Sequence, residues 1–249
     1  MLISPDFFAR SSVQVAPDLL GCVLEHQTAA GLVAVELTEV EAYAGEADPA
    51  SHAYHGKTRR NAVMYGPPGH AYVYFTYGMH FCVNLVCLPE GSASAVLLRA
   101  GTVIEGADLA RTRRAKSAAV VAPRDLARGP ARLCQALGID RSLDGADVCV
   151  AGSPLRIRWP GARTINRSAK IISGPRVGIA QAAEVPWRFW LEGEPSVSAY
   201  RAHVPRQRKP VTPKRPIDGT MQAWTTSSTN SPGGAFWPTR PIPASCAPR

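Results

Sequence analysis

The chain has 249 residues, 45% of them hydrophobic, which is enough for one large domain or two small ones and for a core that needs no disulfide staples. No apolar run approaches the roughly 18 residues of a membrane span, and Asp6 and Asp18 stand where a secretory signal would be basic and then apolar. Six irregularly spaced cysteines make no disulfide framework, so a chain that is not secreted and stays in a reducing compartment is expected, while Lys+Arg 28 against Asp+Glu 19, net +9, suggests a polyanionic partner.

In chain order, Ala16 to Gly21 reads as a short helix ending at the glycine. Leu32 to Tyr43 reads as a strand with Val33, Val35 and Leu37 on one face and Ala34, Glu36 and Thr38 on the other. His70–Thr76 and Phe81–Leu88, rich in Tyr, Val and Phe, are two strands of a hairpin around Tyr77-Gly78-Met79-His80. Ala93 to Ala100 is a further strand. Residues 107–116 and 130–137 are expected to be helical, the second with Pro130 at its start and Gly138 just past its end. Arg188–Leu191 and Val197–Tyr200 suggest a late strand pair. Hairpins rather than regular βαβ units argue for an α+β domain around a curved antiparallel sheet.

Charge is unevenly spread. Residues 1–56 carry 1 basic and 8 acidic side chains, whereas residues 201–249 carry 8 basic and 1 acidic, together with 9 of the 22 prolines. A segment of that composition cannot offset its ordering entropy by burial. The expected organisation is a domain over residues 1–203 and a disordered basic tail over 204–249, either a solubilising appendage or an electrostatic anchor for nucleic acid.

Three features carry chemistry. Continuing the alternation of the first strand puts Glu39, Glu41 and Tyr43 on the face of Val33, Val35 and Leu37, where carboxylates are costly unless partnered or facing a cavity. Either the strand ends near Leu37 and both glutamates are solvated, or one faces a pocket as a general base. Six of the seven tyrosines lie between 43 and 77; Tyr72 and Tyr74 share a strand face, and Tyr77 stands at the hairpin tip, where an aromatic can pack, wedge between bases or meet a partner. Lys57, Arg59 and Arg60, then Arg111, Arg113, Arg114 and Lys116, form basic blocks that read as a solvated face or, with the aromatics, as phosphate contacts. The phosphate-loop, dinucleotide and nucleophile-elbow motifs are absent, and neither the Cys82 and Cys87 pair nor the His52 and His55 pair has metal-site spacing, so no cofactor or metal is expected.

The stretches Thr38-Glu39-Val40-Glu41-Ala42-Tyr43, Ser51-His52, Gly66-Pro67-Pro68-Gly69 and Tyr72 through Asn84 resemble the alkyladenine (3-methyladenine) DNA glycosylases. So do Val96 to Ala100, Gly129 to Cys134 and Gly174-Pro175-Arg176-Val177-Gly178, and the likeness spans roughly residues 4–200. The resemblance implies a monofunctional enzyme that flips a damaged purine (3-methyladenine, hypoxanthine or ethenoadenine) out of double-stranded DNA and hydrolyses its glycosidic bond. By the same resemblance Glu41 would activate the attacking water, with Arg99 and the Val177 carbonyl helping to hold it. Tyr43, His52 and Tyr74 would stack on or edge the base, Asn84 would crowd the 2-amino group of a normal guanine, and Leu97 would add pocket wall. Tyr77 would fill the gap in the duplex, with Met79 beside it in the minor groove. A glutamate, titrating ordinarily near 4.3, is ionised at neutral pH and suits both proton acceptance and a developing positive sugar. The matched blocks supply no lysine nucleophile, so neither a Schiff base nor strand nicking is expected. A monomer working in the cytoplasm or nucleoid is expected. Two rivals remain on the residues alone: a hydrolase of free nucleosides, and a binding protein for damaged nucleic acid without turnover.

Overall fold

The structure, a computed structural model, describes residues 1–76, 78–115, 121–161 and 169–204. The chain divides into the units Met1–Arg206 and Gln207–Arg249, and every described residue belongs to the first. All of the expected tail but Val204 therefore lies outside the described residues, as does Tyr77.

Two short helices open the chain, α1 (Pro5–Phe8) and α2 (Ser12–Asp18), followed by the strands β1 (Val23–Thr28) and β2 (Gly31–Tyr43). Next come β3 (Ala71–Thr76), β4 (His80–Val86), β5 (Ala95–Glu105), the helix α3 (Ala107–Arg114), the two-residue β6 (Ala127–Arg128) and α4 (Pro130–Leu137). The chain closes with β7 (Leu155–Arg158), β8 (Ile171–Gly174) and β9 (Arg188–Leu191). All pairings are antiparallel, in the order β3-β4-β5-β2-β1-β7, with β6 on β5 and β9 bridging β2 to β8. This is the mixed α+β class expected from the sequence.

One face of the sheet packs against the helices. Val73, Val83, Leu85, Val96 and Leu98 join Val15 of α2, Leu19 just beyond its end, and Leu133 and Leu137 of α4 in the main core. α4 follows the expected punctuation: Pro130 in the first turn, Gly138 left-handed at φ 72° beyond the last. Its terminal carbonyls are covered, since Leu137 O accepts from Arg113 Nη1 at 2.7 Å and lies 2.8 Å from His26 Nδ1.

The alternation of β2 does not run through to its end. Val33, Val35 and Leu37 are core residues, but so are Val40 and Ala42, which puts Glu39, Glu41 and Tyr43 on the opposite face from the one expected. The cause is a bulge: the register with β5 shifts between Leu37 and Glu39 and again between Glu39 and Val40. Gly101 sits opposite, where a Cβ would lie 2.4 Å from Glu36 O, so the strands meet more closely there than any side chain permits. At the same level β2 exchanges β1 for β9, and β5 exchanges β6 for β4.

Other expectations shift as well. The first helical turn begins earlier, where Ser11 N–H donates to Gln14 Oε1 at 3.2 Å, and the helix ends at Asp18 because Gly21 N–H already bonds Leu37 O. Val197–Tyr200 is not a strand; β9 pairs with β2 and β8 instead, and the Ser198 N–H goes to a side chain. Strands β1, β6, β7 and β8 were not apparent from the sequence pattern.

Candidate active site

Away from the helices, strand register builds a row. Tyr72 pairs with Asn84, Asn84 with Leu97, Leu97 with Glu41 and Glu41 with Arg188, so five strands contribute adjacent residues. Alternation then adds Tyr74 on β3, Cys82 on β4 and Arg99 on β5. Tyr72, Tyr74, Cys82, Asn84, Leu97 and Arg99 line a cavity of about 370 Å³, closed at its sides by Tyr43, His52, Thr76 and Val177, while Glu41 and Arg188 lie behind it. Of the residues expected from the sequence, Tyr43, His52, Tyr74, Asn84, Leu97, Arg99 and Val177 all line it. Glu41 does not; it is fully buried behind Tyr43, Arg99 and Val177.

Glu41 is held by three donors. Its Oε2 accepts from the Tyr43 hydroxyl at 2.9 Å, and its Oε1 from the Val177 N–H at 2.7 Å, with Arg99 Nη1 3.2 Å from Oε1. A carboxylate has about four acceptor sites, so room for a further donor remains on Oε2. Val177 meets Glu41 through its N–H, a contact distinct from the expected role of its carbonyl toward the water.

Glu39 is saturated instead. Its Oε1 takes Arg99 Nε at 2.7 Å, Arg188 Nε at 2.8 Å and Ser198 Oγ at 2.9 Å, and its Oε2 takes the Ser198 N–H at 2.7 Å. Burial alone would raise the Glu39 pKa, but Arg99 and Arg188 outweigh it and hold the carboxyl below its ordinary range. Burial likewise opposes the Arg99 charge, and Glu41 and then Glu39 overcome it, so the guanidinium stays protonated. Two carboxylates and two guanidiniums thus neutralise one another in the sheet, an arrangement that is costly to break one partner at a time.

The aromatic wall is packed edge to face. His52 meets Tyr74 at 4.5 Å between ring centroids and an interplanar angle of 73°, and its Nδ1 lies 3.0 Å from the Tyr72 hydroxyl. Tyr72 and Tyr74 are 5.5 Å apart. Burial, then Arg60, lowers the His52 pKa, so the imidazole is neutral at pH 7. Burial, reinforced by Glu41 for Tyr43 and by Cys82 for Tyr74, raises both phenols well above 10, and the Cys82 thiol is pushed up by burial too. The cavity therefore presents neutral phenols, a neutral imidazole and a thiol around one cation.

Sequence reasoning missed Tyr72 as a pocket residue, Asn61, whose Nδ2 donates to the carbonyls of His52 at 2.8 Å and Gly56 at 3.1 Å, and the buried pair Asp48–Arg176. Arg176 had a signal, its place beside Val177 in Gly174–Gly178; Asn61 had none. Met79 is 67% exposed in the hairpin turn, next to Thr76 on the cavity rim. Within the expected basic block, Arg113 and Arg114 are engaged by the end of α4, through Leu137 O and Gln135 Oε1, rather than free for phosphate. A second cavity of about 380 Å³ adjoins the first through Arg99 and Val177 and brings together Arg128, Arg132 and Arg201. Among the described residues no three His, Cys, Asp or Glu side chains gather around a metal position, and no helix is long and apolar enough to cross a membrane.

Comparison with known proteins identifies the family. A relative from Streptomyces avermitilis is 54% identical over 209 residues, covering 83% of this chain and 95% of the relative. One from Leifsonia xyli subsp. xyli is 53% identical over 203 residues, covering 80% and 92%. One from Mycobacterium tuberculosis is 45% identical over 198 residues, covering 78% and 91%. Each is provisionally named a 3-methyladenine DNA glycosylase. Residues 6–195, which include every element from α2 to β9, match the methylpurine-DNA glycosylase family, and the chain belongs to that family.

Proposed function

We propose that the chain is a base-excision repair glycosylase that flips alkylated or deaminated purines of the 3-methyladenine, hypoxanthine and ethenoadenine class out of duplex DNA and hydrolyses the glycosidic bond. The observation that carries this reading is the row in which Glu41 and Arg99 adjoin an aromatic cavity whose volume falls within the range of about 300–1,000 Å³ usual for ligand sites.

In the reaction the oxygen of a water molecule bonds C1′ as the carbon–nitrogen bond breaks, and that bond's electron pair leaves with the base. The water proton passes to Glu41, whose charge also stabilises the positive sugar. Arg99, fixed by Glu39 and Glu41, orients the water and the carboxylate together. Glu41 is closed in by its donors, so the water enters at the open acceptor site of Oε2 beside the Tyr43 hydroxyl. Tyr43, His52 and Tyr74 receive the base; a cationic alkylpurine over a tyrosine ring gains roughly 0.5–2 kcal/mol. Asn84, tied to Tyr72 O at 3.2 Å, occupies the space a guanine 2-amino group would need, and Leu97 completes the wall. Hydrolysis proceeds without a Schiff base or strand cleavage. Exposed Met79 beside the rim residue Thr76 suits a stacked duplex better than a free nucleoside, with Tyr77 and Met79 filling the vacated space. A monomer acting wherever the DNA lies completes the reading, and the domain over 1–203 carries the chemistry.

Duplex oligonucleotides carrying hypoxanthine, 1,N6-ethenoadenine or 3-methyladenine test it. Base release is expected from at least one of them, with the strand unbroken until alkali is added. Release from none, or a nick without alkali, overturns the reading.

A further inference from the structure

Arg176 heads the side chains with almost no exposure, and its partner Asp48 is equally closed off. The two form a fork: Nη1 to Oδ2 at 2.5 Å and Nη2 to Oδ1 at 2.9 Å. Nη1 also donates to Ala42 O at 3.0 Å, and the flat guanidinium lies between two rings, 4.7 Å from the Tyr43 centroid and 5.3 Å from that of Trp187. Asp48 in turn accepts from Ala44 N–H at 3.3 Å and Ala50 N–H at 3.0 Å, which fixes the turn leading to His52. Stability alone gives a weak reason for this pair, because well-packed apolar residues serve as well as a buried ion pair, and Arg176 Nε has no partner among the described residues.

Its position gives a better one. The Tyr43 ring it stacks against donates to Glu41 Oε2, and the residue next to it in the chain, Val177, donates to Glu41 Oε1. Two of the three donors that orient Glu41 therefore hang from Arg176, as does the ring that walls the cavity. We propose that Asp48 and Arg176 are a positioning pair for base release: they hold the Glu41 carboxylate in its reactive orientation and Tyr43 flat against the base, acting on the chemical step and not on duplex binding. The inference rests on the function proposed above.

Arg176→Lys keeps the charge opposite Asp48 but loses the fork and the flat face. Misplacement of a reacting group by about 1 Å costs on the order of 100-fold, so single-turnover base release under saturating enzyme is expected to fall roughly 10–100-fold. Affinity for the damaged duplex should fall by much less than the rate. Asp48→Asn, which keeps Arg176 in place with weaker bonds, should show a smaller loss of the same kind, and it carries the test if Arg176→Lys does not fold. Tyr43→Phe supplies the readout that a merely structural role would not move. Because both changes release the same carboxylate, the double variant Tyr43→Phe/Arg176→Lys should lose less than the product of the single losses. An unchanged rate, a loss that appears only as weaker duplex binding, or strictly multiplicative losses overturns the inference while the wild-type activity stands. A wild type that releases no base overturns the functional reading, and this inference with it.

Discussion

The N–H of Val177 donates to the Glu41 carboxylate at 2.7 Å, across 136 positions of sequence. Together with Tyr43 and Arg99 it turns a buried acid, ordinarily a liability in a sheet, into an oriented one. Each of the three donors finds an acceptor lone pair on the Glu41 carboxyl oxygens.

Glu41→Gln is therefore informative about chemistry and not about shape. The amide fills the same space but turns a donor toward Tyr43 or toward Val177 and Arg99, and it cannot take a proton from water. Base release is expected to fall by about 10²–10⁴-fold, the usual contribution of a general base. Binding of the damaged duplex, measured by anisotropy, should survive, since Glu41 has no exposed surface to offer DNA. Retained single-turnover activity would assign the water to another group.

The sequence made the aromatic wall legible because alternation is local: Tyr72 and Tyr74, Cys82 and Asn84, and Leu97 and Arg99 each share a face in uninterrupted stretches. The face of Glu39 and Glu41 was not legible, because a bulge at Thr38 inverts the alternation and leaves no composition signal of its own; only Gly101, on another strand, marks the close approach. Strand β1, with Glu25 and His26 inside it, breaks the apolar rhythm because His26 is buried by contacts from β7 and α4 that no window of β1 contains. Asp48 with Arg176 and Glu41 with Val177 meet across well over 100 residues. No spacing within either segment could reveal such a pairing; the chain order of motifs only hinted at it.

His52 sets a pH dependence whose sign follows from its burial. Desolvation first, and Arg60 second, hold the folded-state pKa below the ordinary 6.5. Falling pH therefore protonates the unfolded chain before the folded one, and stability contributed by the neutral ring is lost as pH drops below about 6.5 toward the folded value. An NMR titration should place the His52 midpoint below 6.5. Arg60→Ala should raise it only part of the way, because burial against Tyr72 and Tyr74 remains. A midpoint at or above 6.5 would mean that the imidazole is not held neutral between the two tyrosines. His52→Gln should flatten the loss of unfolding free energy between pH 7 and 5.

The C-terminal segment carries a net charge of +6 against +9 for the whole chain. Positions 204–249 hold 7 basic side chains and 1 acidic one, and they lie beyond the family match, which ends at 195. The Streptomyces avermitilis relative is covered over 95% of its length by a match that uses 83% of this chain, so a domain of that extent stands without an equivalent tail. Each phosphate neutralised contributes about −0.9 to the slope of log K against log salt, so a tail that engages three or four phosphates steepens it by about 3. Truncation after His203 is expected to weaken duplex binding at low salt and flatten that slope, while single-turnover base release at saturating enzyme stays the same. Catalysis and charge would then be separable by one deletion: Glu41, Arg99 and the tyrosine wall act within the sheet, and the tail acts only through the concentration of DNA near it. Equal slopes for the full and truncated chains would show that the tail is no DNA anchor, and the polyanion signal would fall to the arginines beside the cavity, Arg128, Arg132 and Arg201.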